Sequence, residues 1–204
     1  MELTTSTTKK GRINVLADGE YQFTVPAFIW YASSFCGQTQ ITPEELEELR
    51  LQGEQADAYD KALRLLAVRA HGEAELKRKM RQQYSAEAID SALEKLRENG
   101  LVDDAAFASA LAEERLRRKS WSPERIRQDL LSRGIDAETA KNAVNGLDID
   151  RKKGIIDIIS KMHLPDSPTR KDADRLIRRL LNAGYSMREI REVVLFSEEE
   201  NFDE

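Results

Sequence analysis

The hydrophobic pattern of this chain changes period once. Residues 12–16 and 20–25 alternate apolar and polar side chains around Asp18-Gly19. That alternation predicts a β-hairpin, because both central residues of a tight hairpin turn need positive φ. From residue 57 onward the apolar side chains recur at intervals of three and four, the spacing of one helical face. Leu76 with Met80, Ile126 with Leu130 and Leu176 with Leu180 each mark such a face, and each pair stands fifty residues from the next. A recurrence at one fixed offset predicts tandem three-helix repeats, each able to bury only a narrow stripe and so stabilised by stacking on its neighbour.

Start and stop signals set the expected boundaries. The first repeat reads as helices over 57–70, 73–83 and 86–99, the last capped by Ser85 and stopped by Gly100. The second reads as 104–119, 123–133 and 137–147, with Asp103, Ser122 and Asp136 as caps and Gly134 as a stop. The third reads as 150–163, a loop over 164–168, then 172–183 stopped by Gly184 and 187–195 capped by Ser186. Ahead of the repeats, 27–36 is apolar enough for a buried helix closed by Gly37, and Thr42-Pro43-Glu44-Glu45 opens another with a capping-box glutamate. The expected organisation is a disordered 1–11, a small α+β module over 12–56, repeats over 57–100, 101–149 and 150–195, and an acidic tail over 196–204. The fold class is mostly α, with the repeats forming an elongated, curved array behind a small α+β module that contains the hairpin.

Composition narrows the function. Charged residues make up 34% of the 204, and the mean hydropathy is −0.59, values that suit an open helical array better than one thick globule. The net charge of −5 is unevenly spread. Residues 1–60 carry 4 Lys+Arg against 10 Asp+Glu, residues 61–195 carry 28 against 22, and residues 196–204 carry none against 5. A basic body between acidic ends implies a polyanion-facing surface, although acidic ends can also serve only solubility. The longest apolar stretch, 27–36, is too short to span a bilayer and residues 1–11 lack a signal-peptide core, so a cytoplasmic protein with no membrane partner is expected. Cys36 is the sole cysteine, which excludes an internal disulfide and a cysteine-cluster zinc site and reads as a buried thiol.

Candidate catalytic groups give bland readings. Asp103 and Asp104 sit where a helix N-terminus favours negative charge and cannot face each other, so they read as caps. His71 and His163 have no acidic or cysteine partner at ligand spacing and read as loop or helix-end residues. No phosphate loop, no nucleophile beside a base and no zinc-protease motif occurs, so no enzyme, no metal and no cofactor are expected. The basic side chains are more informative. Lys77, Arg78, Lys79 and Arg81 crowd one second helix, Arg125, Arg127 and Arg133 the next, and Arg175, Arg178 and Arg179 the third, while Arg115, Arg117, Arg118 and Lys119 end the helix before Trp121. Equivalent positions in successive repeats should space these charges regularly, as a phosphate or carboxylate partner requires. Taken singly, each reads rather as part of a solvated helix face paired with Glu75, Asp129 or Asp174, and the periodic set is better evidence than any member. Phe107 and Tyr185 fall at core spacing, whereas Trp121, in the short turn Ser120-Trp121-Ser122, could anchor a partner or wedge two helices together.

The string Gly100-Leu101-Val102-Asp103-Asp104-Ala105-Ala106-Phe107-Ala108, followed by Arg115, the helix opening at Pro123 and Leu130-Leu131-Ser132-Arg133-Gly134-Ile135, closely resembles the RecX family of bacterial recombinase regulators. The resemblance spans residues 57–195 and includes Glu75-Leu76, Lys79-Met80 and Leu180-Leu181-Asn182-Ala183-Gly184-Tyr185-Ser186. It implies a modulator that binds the RecA filament on single-stranded DNA; a monomer, with weak affinity for duplex DNA at most, is the accompanying expectation. Such a modulator suppresses ATP hydrolysis, strand exchange and co-protease activity in homologous recombination, DNA repair and the SOS response. It further implies Arg69, Lys79, Arg115, Lys119, Arg125 and Arg133 as polar contacts, with Asp103, Asp104 and Phe107 structural. Four positions depart from the family pattern: Ser122 replaces a glycine, Ala183 and Tyr185 flank Gly184 where the pattern is Arg-Gly-Phe, and Trp121 is unusual in its turn. A sequence-specific helix-turn-helix regulator reading DNA through residues 117–133, and a scaffold that binds only protein, are the competing expectations.

Overall fold

The computed structural model describes residues 1–165 and 169–199. The chain divides between Asp103 and Asp104 into two compact units.

The first unit opens with an antiparallel sheet of β1 Leu3–Thr7, β2 Arg12–Ala17 and β3 Glu20–Pro26, in that spatial order. Ile13, Val15 and Ala17 point inward, and the turn between β2 and β3 has Asp18 at φ 51° and Gly19 at φ 79°, the hairpin that the alternation predicts. The expectation of disorder over 1–11 is overturned by β1, which pairs with β2 from Leu3 opposite Ala17 to Thr7 opposite Ile13. Its composition reads as disordered because only Leu3 is buried; the strand is held by backbone pairing that threonine and serine permit without adding to the core.

The apolar run over 27–36 is not one buried helix. Helix α1, Ala27–Ala32, ends where Ser33 turns extended and its hydroxyl donates to the Trp30 carbonyl at 2.7 Å. Trp30 and Phe35 enter the core with Leu3, Val15, Val25 and Leu49, while Phe28 and Tyr31 face solvent. Cys36 is exposed, against the expected buried thiol, because the chain has left the helix before reaching it.

Helix α2, Pro43–Val68, is 26 residues long and starts with a reciprocal cap between Thr42 and Glu45. The helices expected from residue 43 and from residue 57 are therefore one, and the boundary expected after residue 56 falls inside it. No proline interrupts residues 44–68 and Gly53 is their only glycine. A Cβ at Gly53 would come within 2.5 Å of Val25 Cγ1, so this position is where the sheet rests on the helix. Leu49 serves the sheet's core, and Ala62 serves the next one with Leu76, Met80, Ile89, Leu93 and Leu96 from α3, Glu73–Met80, and α4, Ala86–Glu98.

The second unit holds two further three-helix groups. The first comprises α5 Asp104–Lys119, α6 Pro123–Ser132 and α7 Ala137–Asn145 around Ala108, Ala112, Ile126, Leu130 and Ala140, with Phe107 packed at the margin. The other comprises α8 Arg151–Ser160, α9 Arg170–Asn182 and α10 Met187–Glu199, around Ile155, Ile158, Leu180, Tyr185 and Ile190. Helix α9 begins earlier than expected because Thr169 and Asp172 form a second reciprocal cap. Helix α10 runs past residue 195 to Glu199, so the start of the expected acidic tail is helical; residues 166–168 of the expected loop and 200–204 of that tail lie outside the described residues.

One stop is used three times. Gly100, Gly134 and Gly184 follow α4, α6 and α9 with φ of 65°, 89° and 92°. The next amide donates back into the helix each time, Leu101 to Leu96 at 2.8 Å, Ile135 to Leu130 at 3.2 Å and Tyr185 to Leu180 at 3.2 Å. This closure needs a left-handed residue that glycine supplies without a Cβ penalty.

Candidate functional site

In the first repeat the basic candidates divide between paired and open. Arg69 grips Glu75 with both guanidinium nitrogens, and Lys77 reaches Asp90 at 2.6 Å. Lys79 is exposed and makes no ion pair among the described residues. His71 corrects the expectation of a histidine without an acidic neighbour: it is buried, with Nδ1 at 3.1 Å from Glu75 Oε2, yet out of hydrogen-bonding line. The Arg69 hydrogen bond, aided by His71 and opposed by burial, holds the Glu75 carboxyl down to about 2.

The sign of the resulting pH dependence follows. A glutamate whose folded value lies below its unfolded one near 4.5 stabilises the fold fully above 4.5 and loses that contribution as pH falls toward 2. We expect Glu75→Gln to remove on the order of 2 kcal/mol at pH 7 and to flatten the acid limb of stability between pH 4.5 and 2. Denaturant melts at a series of pH values check this, and an unchanged acid limb would refute it.

In the second unit Arg115 lies inside, its side chain only 13% exposed, with Nε 2.9 Å from Asp129 Oδ2 and Nη1 3.3 Å from Glu114. Arg133 donates to the same Asp129 oxygen at 3.2 Å. Burial pushes the Asp129 carboxyl up, but hydrogen bonds and charge from Arg115 and Arg133 outweigh it and the net shift is downward. The structure thus places Arg115 and Arg133 in a network tying α5 to α6, with Arg115 largely inside the repeat and Arg133 half-buried at its margin. Arg118 pairs with Glu114 at 3.1 Å on the surface. Arg127 on α6, and Arg175, Arg178 and Arg179 on α9, are exposed with no ion pair among the described residues.

The strongest convergence surrounds Trp121. Lys119 Nζ stands 4.5 Å from the indole centroid, Arg125 Cζ 5.0 Å and Arg115 Cζ 5.5 Å. Each cation is attracted by the negative face of the ring. The indole is half-buried and packs against the cores of both groups, so the anchor and wedge readings are joined in one residue. Its turn is pinned from the third repeat: Tyr185 Oη donates to the Ser120 carbonyl at 2.8 Å, the Ser122 amide to the Ala183 carbonyl at 2.9 Å, and Lys161 Nζ to Ser120 Oγ at 3.2 Å. Burial pushes the Tyr185 hydroxyl up to about 12, so it remains a donor. Gly154 makes room for it, since a Cβ there would lie 2.1 Å from Tyr185 Oη. Ser120 itself holds φ 52°, unusual for a residue with a side chain.

The site also uses residues that sequence reasoning did not single out. Ser120 and Lys161 belong to it, yet they are 41 residues apart and no local motif links them. By contrast, a cleft of about 700 Å³ in the first unit, lined by Phe28, Ile29, Tyr59 and Leu63 beside the Arg12–Asp57 ion pair, contains none of the expected contact residues. Among the described residues no cluster of three or more His, Cys, Asp or Glu could hold a metal ion. Nor is any described helix long and apolar enough to cross a membrane.

Comparison with known proteins gives this geometry a lineage. Residues 58–96 match the family description "RecX, first three-helix domain" and residues 103–144 match "RecX, second three-helix domain". The regulatory protein RecX of Chlorobaculum tepidum is 37% identical over 144 residues, covering 70% of this chain and 89% of that protein. The chain belongs to the RecX family. Its members are named regulatory proteins, and the RecX of Clostridium beijerinckii aligns at 27% identity over 191 residues, 91% of this chain and 89% of that one. A crystal structure of a regulatory protein RecX shares the fold with a TM-score of 0.64 at 21% identity, covering 94% of this chain and 98% of that chain. RecX from Lactobacillus salivarius does so at 0.55 and 20%, over 70% of this chain and 95% of that chain. The first RecX domain begins within α2, and the second spans the turn that carries Trp121.

Proposed function

We propose that this RecX-family chain binds the RecA filament on single-stranded DNA and lowers its ATPase, strand-exchange and co-protease activities, with no catalysis of its own. The observation that carries the reading is the pair Lys119 and Arg125, held together on Trp121 with no carboxylate partner among the described residues. Uncancelled positive charge on a protein of net charge −5 favours a polyanion at this one surface. The open arginines of α6 and α9 extend the same sign along the second unit, so many modest contacts can add up on a polymeric target.

The alternative of a sequence-specific helix-turn-helix regulator is less well supported. A recognition helix presents its amino end to base edges. The amino end of α6 is instead covered by Ala183 and Gly184, where a Cβ at Gly184 would meet Ser122 Oγ at 2.3 Å.

The deciding experiment titrates this protein into the cognate RecA turning over ATP on single-stranded DNA. The expected result is a saturable fall in rate. Unchanged or increased hydrolysis at saturating protein would sink the proposal, and discrimination of one duplex site from random DNA without RecA would favour the alternative.

A further inference from the structure

We infer that Trp121 is a positioning residue whose indole holds Lys119 and Arg125 as a two-pronged grip on the phosphodiester backbone, and that the ring does not stack on bases. Three cations already lie within 4.5 to 5.5 Å of the ring centroid, so its π surface is engaged before any ligand arrives. Of the three, Arg115 is neutralised by Asp129 and Glu114 and serves the repeat's interior. Lys119 and Arg125 remain exposed and uncompensated among the described residues, so their charge is available to a ligand while the ring limits where they point.

Long basic side chains on an open helix lose rotamer freedom when they bind, and ordering them beforehand lessens that loss. The turn that carries the ring is itself fixed by the Tyr185 and Ala183 hydrogen bonds, and Lys161 adds a further cation beside it at Ser120. A site of this kind recognises phosphate oxygens and is indifferent to the base attached to them. The ligand class is therefore a flexible phosphodiester or polyphosphate chain.

The inference rests on the reading of the second unit as nucleic-acid-facing, but its test needs no recombinase. Binding of a labelled oligothymidine and of an abasic strand of equal length is measured by fluorescence anisotropy, with inorganic polyphosphate as competitor. The wild type is compared with Trp121→Leu, Trp121→Phe and Lys119→Ala. We expect the abasic strand to bind within about twofold of oligothymidine and polyphosphate to displace both. Leucine keeps apolar bulk without a π face and should weaken binding about fivefold, whereas phenylalanine should restore it to within about twofold. Lys119→Ala should reduce the slope of log affinity against log salt by about 0.7.

Three results would overturn the inference: oligothymidine binding more than about tenfold tighter than the abasic strand, which signals stacking; Trp121→Leu binding as tightly as Trp121→Phe; or a salt slope untouched by Lys119→Ala. Should Trp121→Leu fail to fold, the strand comparison and the salt slope still decide. If strands bind as expected but RecA turnover does not respond, only the proposed function fails.

Discussion

Gly184→Ala is expected to destabilise the second unit by about 3 kcal/mol. Two costs combine. The residue holds φ 92°, where a side chain costs roughly 1–2 kcal/mol. The added Cβ would also stand 2.3 Å from Ser122 Oγ, 2.7 Å from Arg125 Cβ and 3.3 Å from the Arg125 amide. Relieving such overlap typically costs another 1–3 kcal/mol. For a unit of this size, about 3 kcal/mol corresponds to a fall in melting temperature of roughly 15 °C. Gly100→Ala is the internal control: it has φ 65° but open space around the new methyl, so it should cost only about 1 kcal/mol. Thermal melts followed by circular dichroism test the pair. Equal losses for both would mean that the close approach of Gly184 to Arg125 contributes nothing.

The second large effect is functional. Lys119→Glu combined with Arg125→Glu should weaken single-stranded DNA binding by at least about 100-fold, since two charge-assisted contacts are each worth about 1.5–3 kcal/mol. The proposed suppression of RecA ATPase should disappear with it. Stability should stay within about 2 kcal/mol of wild type, because neither side chain makes an ion pair among the described residues and each gives up only an exposed contact with the Trp121 ring. Pairing Arg125 with Arg133 would be a poorer choice, since Arg133 shares Asp129 with the largely enclosed Arg115 and its reversal would disturb the fold. Filament ATPase and binding assays on one protein batch, with melts in parallel, decide the matter; retained suppression would remove the basic turn from the mechanism.

Features closed by neighbours in sequence were legible without coordinates. The Asp18-Gly19 hairpin, the glycine stops at 100, 134 and 184, and the span of α5 all follow from bonds within a few residues. The family, too, was legible from the string around Asp103 and Phe107. What escaped depends on distant partners. Strand β1 is specified by β2, about ten residues on, while its own sequence is polar. Arg115 reads as a surface arginine until Asp129, 14 residues away on another helix, draws it inward. The Trp121 turn is set by Tyr185, 65 residues from Ser120. Charge patterning could nominate Lys119 and Arg125, but only contact with the indole combined with the lack of a carboxylate partner among the described residues distinguishes these two from the other basic side chains.

Helix α2 limits where this chain can be cut. One uninterrupted rod supplies Leu49 to the sheet and Ala62 to the first repeat, with Gly53 seated under Val25 between them. Trimming the amino-terminal module at residue 57 would saw through that rod, baring its flank and leaving the first repeat with a ragged end. In this protein the module and the repeat share a single beam, and neither could be lost or exchanged without rebuilding the other.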